Sequence, residues 1–94
     1  MAEAHNNLGL LLSHQGKIDE AIKHFSEAIR IESGNDIANY NLGCALFAKQ
    51  EYYDAIHHFS EALRINPSYK EAHNNLGGIY AIAVSYTHLT LPTN

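Results

Sequence analysis

The chain has 94 residues, 46% of them hydrophobic and 17% charged, with a formal net charge of −4; it has the apolar surface for one small packed domain, or a piece of a larger one, and is no disordered tail. Its six basic residues, Lys17, Lys23, Arg30, Lys49, Arg64 and Lys70, are scattered among acids, so no basic stripe neutralises a phosphate backbone and nucleic acid is not an expected partner. The longest run free of Asp, Glu, Lys and Arg, Ala72 to Asn94, is mixed with polar residues and is no membrane span.

The first predicted helix covers residues 2–15, where Leu8 and Leu12 stand four apart on one stripe. Gly16 follows as a left-handed terminator. The second covers 18–32, with Ile18, Ala21, Ile22, Phe25, Ala28 and Ile29 at three-and-four spacing, and Ser33-Gly34-Asn35 ends it. The third, 36–49, again sets Leu42 four before Leu46. The fourth, 52–65, carries Tyr52, Ala55, Ile56, Phe59, Ala62 and Leu63 in the same pattern, and Pro67 closes it. A fifth is expected at 70–83, with Leu76 and Tyr80 on its stripe.

These elements are copies of one another. Ala21-Ile22-Lys23-His24-Phe25-Ser26-Glu27-Ala28 recurs 34 residues later as Ala55-Ile56-His57-His58-Phe59-Ser60-Glu61-Ala62, and Asn7-Leu8-Gly9 recurs as Asn41-Leu42-Gly43 and Asn75-Leu76-Gly77. The run Glu3 to Gly9 returns unchanged as Glu71 to Gly77. A fixed period of this length is the mark of a helical-hairpin solenoid, in which each hairpin covers the open face of the last. Glycine inside a helix costs about 1 kcal/mol relative to alanine. Gly9, Gly43 and Gly77 are therefore expected where the backbone of a neighbouring helix approaches too closely for a side chain, with Ala21, Ala28, Ala55 and Ala62 as small partners and Phe25 and Phe59 filling the gaps.

The residues Leu8-Gly9, Leu12, Ala21, Phe25 and Ala28, then Leu42-Gly43, Leu46, Ala55, Phe59, Ala62 and Pro67, then Leu76-Gly77 and Tyr80 resemble the tetratricopeptide-repeat family. The likeness is closest in style to bacterial arrays and to the arm of O-linked N-acetylglucosamine transferases. It implies an all-α fold of two and a half repeats: repeat 1 at 2–35, repeat 2 at 36–69 and the first helix of a third repeat at 70–83. Two departures stand out. Ser33 replaces a proline, and His5, Asn39 and His73 replace a large apolar residue early in each first helix, which should loosen packing within the hairpins.

Beyond Ala83 the repeat pattern stops. Val84 to Thr93 fits, codon by codon, the adapter left by a transposase-based sequencing library, so residues 84–94 are read as a non-native tail that contributes no folding energy. Pro92 would stop a helix there. The chain is accordingly expected to be part of a longer array.

In this family the first helices line the concave side of a superhelix, where peptides bind. The resemblance therefore places a protein- or peptide-binding surface on Asn7, Asn41 and Asn75, which resemble an asparagine ladder, together with Asn6, Leu10, Tyr40, Cys44, Phe47 and Asn74. Chaperone-binding members grip two carboxylates with a basic clamp. The matching places here, Asn6, Leu10, Asn41, Glu71 and Asn75, hold no Lys or Arg.

No catalytic residue, metal ligand or cofactor motif is assigned. Of seven histidines, His5 and His73 are copies of one repeat position and His24 and His58 of another; His57 and His58 are neighbours that point apart on a helix. Cys44, the single cysteine, follows Gly43 as Leu10 follows Gly9, and reads as a filler of its slot. The expected protein is a non-enzymatic scaffold with no membrane partner; its composition permits a soluble intracellular domain, and the single cysteine leaves the redox compartment open. Two other readings stay open: the non-catalytic arm of a larger enzyme such as a glycosyltransferase, and a structural array that self-associates through the unpaired apolar face of its last helix.

Overall fold

The computed structural model describes the backbone of residues 1–90 and the side chains of residues 1–85. Five α-helices follow one another there, α1 (Ala2–His14), α2 (Ile18–Ile31), α3 (Asp36–Ala48), α4 (Tyr52–Ile65) and α5 (Lys70–Thr90), and no strand occurs among the described residues. Helix α1 packs on α2 and α3 on α4 as hairpins; α2 then packs on α3 and α4 on α5, with a lighter contact between α1 and α3. The fold is the expected all-α stack of two hairpins and one further helix.

The tight turn inside each hairpin has a local cause. In the first, Gly16 has φ 79°, Lys17 N–H donates to Leu12 O at 2.8 Å and Gly16 N–H to Ser13 O at 3.0 Å, the paired bonds that close a helix C-terminus with a left-handed residue. The second hairpin repeats both bonds at Glu51 to Leu46 (2.9 Å) and Gln50 to Phe47 (2.8 Å). Gln50, though no glycine, adopts φ 63°. Between the hairpins, Asn35 caps α3 by accepting from Ala38 N–H at 2.8 Å, which satisfies a donor that a helix start leaves free.

Packing follows the repeat. Ala21, Ala28, Ala55, Ala62, Phe25 and Phe59 are all fully buried. The helical glycines work differently from expectation. A Cβ on Gly43 would meet the Phe59 ring at 2.8 Å, and one on Gly9 would collide with the Phe25 ring, so the close partner is an aromatic side chain and not a neighbouring backbone. Gly77 has nothing within 4 Å of such a Cβ, because no Phe-bearing helix packs there.

Two of the three polar departures, His5 and Asn39, are matched in pairs. His5 Nδ1 meets His24 Nδ1 at 3.0 Å, and His58 Nδ1 donates to Asn39 Oδ1 at 3.0 Å while Asn39 Nδ2 donates to Asn35 O at 3.0 Å. Each pair bridges the two helices of one hairpin, so these residues are hydrogen-bonded links and not the loosened contacts their polarity suggested. Burial, and then the neighbouring His57, pushes the His58 pKa below its ordinary value, which favours the neutral ring.

Helix α5 departs from the expected end at residue 83 and continues to Thr90. Residues 84–90 contain neither glycine nor proline, so nothing interrupts the i→i−4 ladder. Their lack of apolar periodicity shows up in packing instead: Val84 is 68% exposed. Pro92, read as a helix stop, lies outside the described residues.

Candidate functional site

The nine residues expected to line a binding surface fall on α1, α3 and α5, and the structure groups most of them around two recesses. The first, about 270 Å³, lies among α1, α2 and α3, with Leu10, Ser13, Ile18, Phe25, Asn41 and Cys44 in its wall. The second, about 220 Å³, is walled by Cys44, Phe47, Phe59 and Asn75. Adding one 34-residue period to Leu10, Ser13, Phe25 and Asn41 returns those same four residues. The recess is therefore a repeat feature: the ring of the buried Phe forms one side, the ladder Asn of the next first helix another.

The three ladder asparagines stand in three different states. Asn7 is exposed. Asn75 is half-buried, and its Nδ2 donates to Tyr40 Oη at 3.2 Å and to Cys44 Sγ at 3.5 Å. Asn41 is 7% exposed and its Nδ2 has no partner; on α1, Asn6 is 6% exposed and its Oδ1 has none. A buried amide without a hydrogen bond costs about 1–3 kcal/mol, so these two are the polar atoms most in need of a partner among the described side chains. Asn74 is exposed and lines neither recess.

Tyr40 is held between rings: its centroid lies 4.9 Å from that of Tyr69, stacked, and 5.7 Å from that of Phe59. Burial raises the Tyr40 hydroxyl above its usual pKa, with Cys44 adding to the effect, and burial pushes Tyr69 up to about 12. Burial likewise raises the Cys44 thiol, which keeps it protonated and a poor nucleophile. Cys44 thus serves as a neutral wall shared by both recesses. Phe47 lies edge-on to Tyr52, centroids 5.5 Å apart.

Ser13, His14 and Ile18 also border the first recess, and sequence reasoning did not place them there. The available signal was positional: Ser13 is the repeat counterpart of Phe47, already expected at the surface, and Ile18 that of Tyr52. Among the described residues no group of three His, Cys, Asp or Glu side chains converges to hold a metal ion, and no helix is long and apolar enough to cross a membrane.

Stacked antiparallel hairpins with a fixed period, Gly9 and Gly43 each seated on the next helix's aromatic ring, define a helical-repeat protein. The tetratricopeptide-repeat family model matches residues 2–35 and 37–69, and the chain belongs to that family. Among solved structures it is similar to the second tetratricopeptide-repeat domain of Spaghetti (RPAP3) bound to the HSP90 peptide SRMEEVD, with a TM-score of 0.86 at 21% identity over 89% of this chain and 78% of that one. It is also similar to a MamA RS-1 ArsTM double mutant, with a TM-score of 0.83 at 23% identity over 92% of this chain; there it spans about half, 48%, of the other chain. Comparison with curated proteins returned no match.

Proposed function

We propose that this chain is a non-catalytic module that binds an extended segment of another protein along the concave face formed by α1, α3 and α5. The observation that carries the reading is the pair of repeat-related recesses, each bordered by a ladder asparagine and a buried phenylalanine. An Asn side chain offers one acceptor and two donors, so one with a free amide pairs with a peptide N–H and C=O together, while Asn75, whose Nδ2 is held by Tyr40 and Cys44, offers its Oδ1 to a peptide N–H. Packed helices lie about 8–10 Å apart and an extended chain rises about 3.3 Å per residue; successive asparagines would meet a peptide about every third residue. Contacts to main chain give affinity with little sequence preference, while Leu10, Tyr40, Cys44 and Phe47 supply the side-chain surface. The HSP90 peptide SRMEEVD bound in the similar Spaghetti structure supports the choice of a peptide ligand.

The test is selection of binding peptides from a random library on the immobilised chain, followed by titration of the enriched peptides against the triple variant Asn7→Ala, Asn41→Ala, Asn75→Ala. The variant should keep its helicity and lose at least tenfold in affinity, since each hydrogen bond is worth about 0.5–1.5 kcal/mol net. A folded variant that binds as tightly as the parent would show that the asparagine line is not the ligand site.

A further inference from the structure

The two recesses are copies in sequence position but differ in what they offer a ligand. At the second, the asparagine amide is occupied: Asn75 Nδ2 donates to both Tyr40 and Cys44. The phenyl ring of Phe47 also stands at its border. At the first, Ser13 takes the place of Phe47, and Asn41 Nδ2 has no partner although the side chain is more than nine-tenths buried. One recess is thus satisfied by its own protein. The other keeps a buried donor without a hydrogen bond, and Asn6, one period before Tyr40, keeps a buried acceptor without one, each at a cost to stability.

We propose that the first recess is the selective pocket of the module: it takes one aliphatic side chain, of leucine or methionine size, from the bound segment, while Asn41 Nδ2 donates to the main-chain carbonyl beside that side chain. This deepens the binding role proposed above and rests on it. The chemistry of the wall sets the class of ligand. Leu10, Ile18, Phe25 and Ala45 present carbon, so an aliphatic group is taken out of water against apolar surface. A carboxylate side chain would lose its hydration with no Lys or Arg in the wall to replace it. The groups facing the space that ionise are His14, Tyr40 and Cys44, and burial keeps the Cys44 thiol and the Tyr40 hydroxyl neutral. The carbonyl of the bound residue supplies the one acceptor that Asn41 lacks.

Capped single amino acids test this without knowledge of the natural client. The full chain, labelled with ¹⁵N and ¹³C, would be titrated with N-acetyl-leucine-methylamide and with N-acetyl-glutamate-methylamide while side-chain amides and methyls are followed by NMR. The leucine probe should shift the Asn41 amide pair and the Leu10 and Ile18 methyls along one weak, saturable curve, leave the Asn75 amide unmoved, and outbind the glutamate probe by at least tenfold. Ser13→Phe, which writes the ring of the second recess into the first, should abolish the response. Asn41→Leu should abolish it as well while melting no lower than the parent, because it removes an unpaired buried donor; this variant decides the matter if Ser13→Phe does not fold. No saturable shift at Asn41, equal shifts at Asn75, or equal binding of the two probes would overturn the proposal. If library-selected peptides still bind through the asparagines while the leucine probe leaves Asn41 unmoved, the pocket is wrong and the binding module stands. If no peptide depends on the asparagines, the reading beneath it has failed.

Discussion

Gln50 occupies a left-handed position that its repeat counterpart, Gly16, fills without strain. A side chain there costs about 1–2 kcal/mol through its Cβ and the following carbonyl, and part of that is offset because glycine loosens the unfolded chain. Gln50→Gly should therefore stabilise the protein by about 0.5–1 kcal/mol, read as a higher urea midpoint at constant slope; a lower midpoint would contradict this account of the turn. The buried rings act in the opposite sense. Phe59 is fully buried and seated on Gly43, so Phe59→Ala should cost about 3–5 kcal/mol in chemical denaturation. A loss under about 1 kcal/mol, far below that range, would place Phe59 outside the core. The identity of both residues as core and glycine partners was legible in their 34-residue spacing. That the glycine makes room for a ring was not, since spacing alone does not say which atom of a neighbour arrives.

Among the elements, α5 shows most clearly what apolar periodicity measures. The pattern ends at Ala83 while the helix runs to Thr90; periodicity reports a face that is packed, whereas helicity needs only an uninterrupted backbone ladder. Because Val84 is mostly exposed, deleting residues 84–94 should leave the thermal midpoint nearly unchanged. A drop of several degrees, about 1 kcal/mol for a domain of this size, would mean the last turns cover Leu76 or Tyr80. The hairpin bridges His5–His24 and His58–Asn39 were hidden for a related reason. Each residue read singly is a polar substitution in an apolar slot, and only the antiparallel docking of the two helices brings the members of a pair together.

For the whole molecule, likeness of fold to the Spaghetti domain bound to SRMEEVD does not bring likeness of ligand. Helices α1 and α3 carry no Lys or Arg, and α5 has Lys70 only at its first residue, next to Glu71. Acidic side chains of such a peptide would be desolvated without a cation. Calorimetry with SRMEEVD should therefore show no measurable binding, and a micromolar affinity would sink the claim.

Residues Glu3–Gly9 and Glu71–Gly77 are the same seven amino acids, and both are helical. Their sequence determined that much, since helix formation depends on local propensity and on a repeat period that each copy carries within itself. Their surroundings decided the rest. Ala72 is fully buried on the preceding hairpin while Ala4 is exposed; Gly9 presses on Phe25 while Gly77 stands open; His5 bonds to His24 while His73 donates to Pro67 O. Likewise Asn41 and Asn75 share a sequence context, yet one amide is paired and the other is not. Burial and pairing are properties of what packs alongside, and in a stack of near-identical hairpins only position in the stack distinguishes one copy from the next.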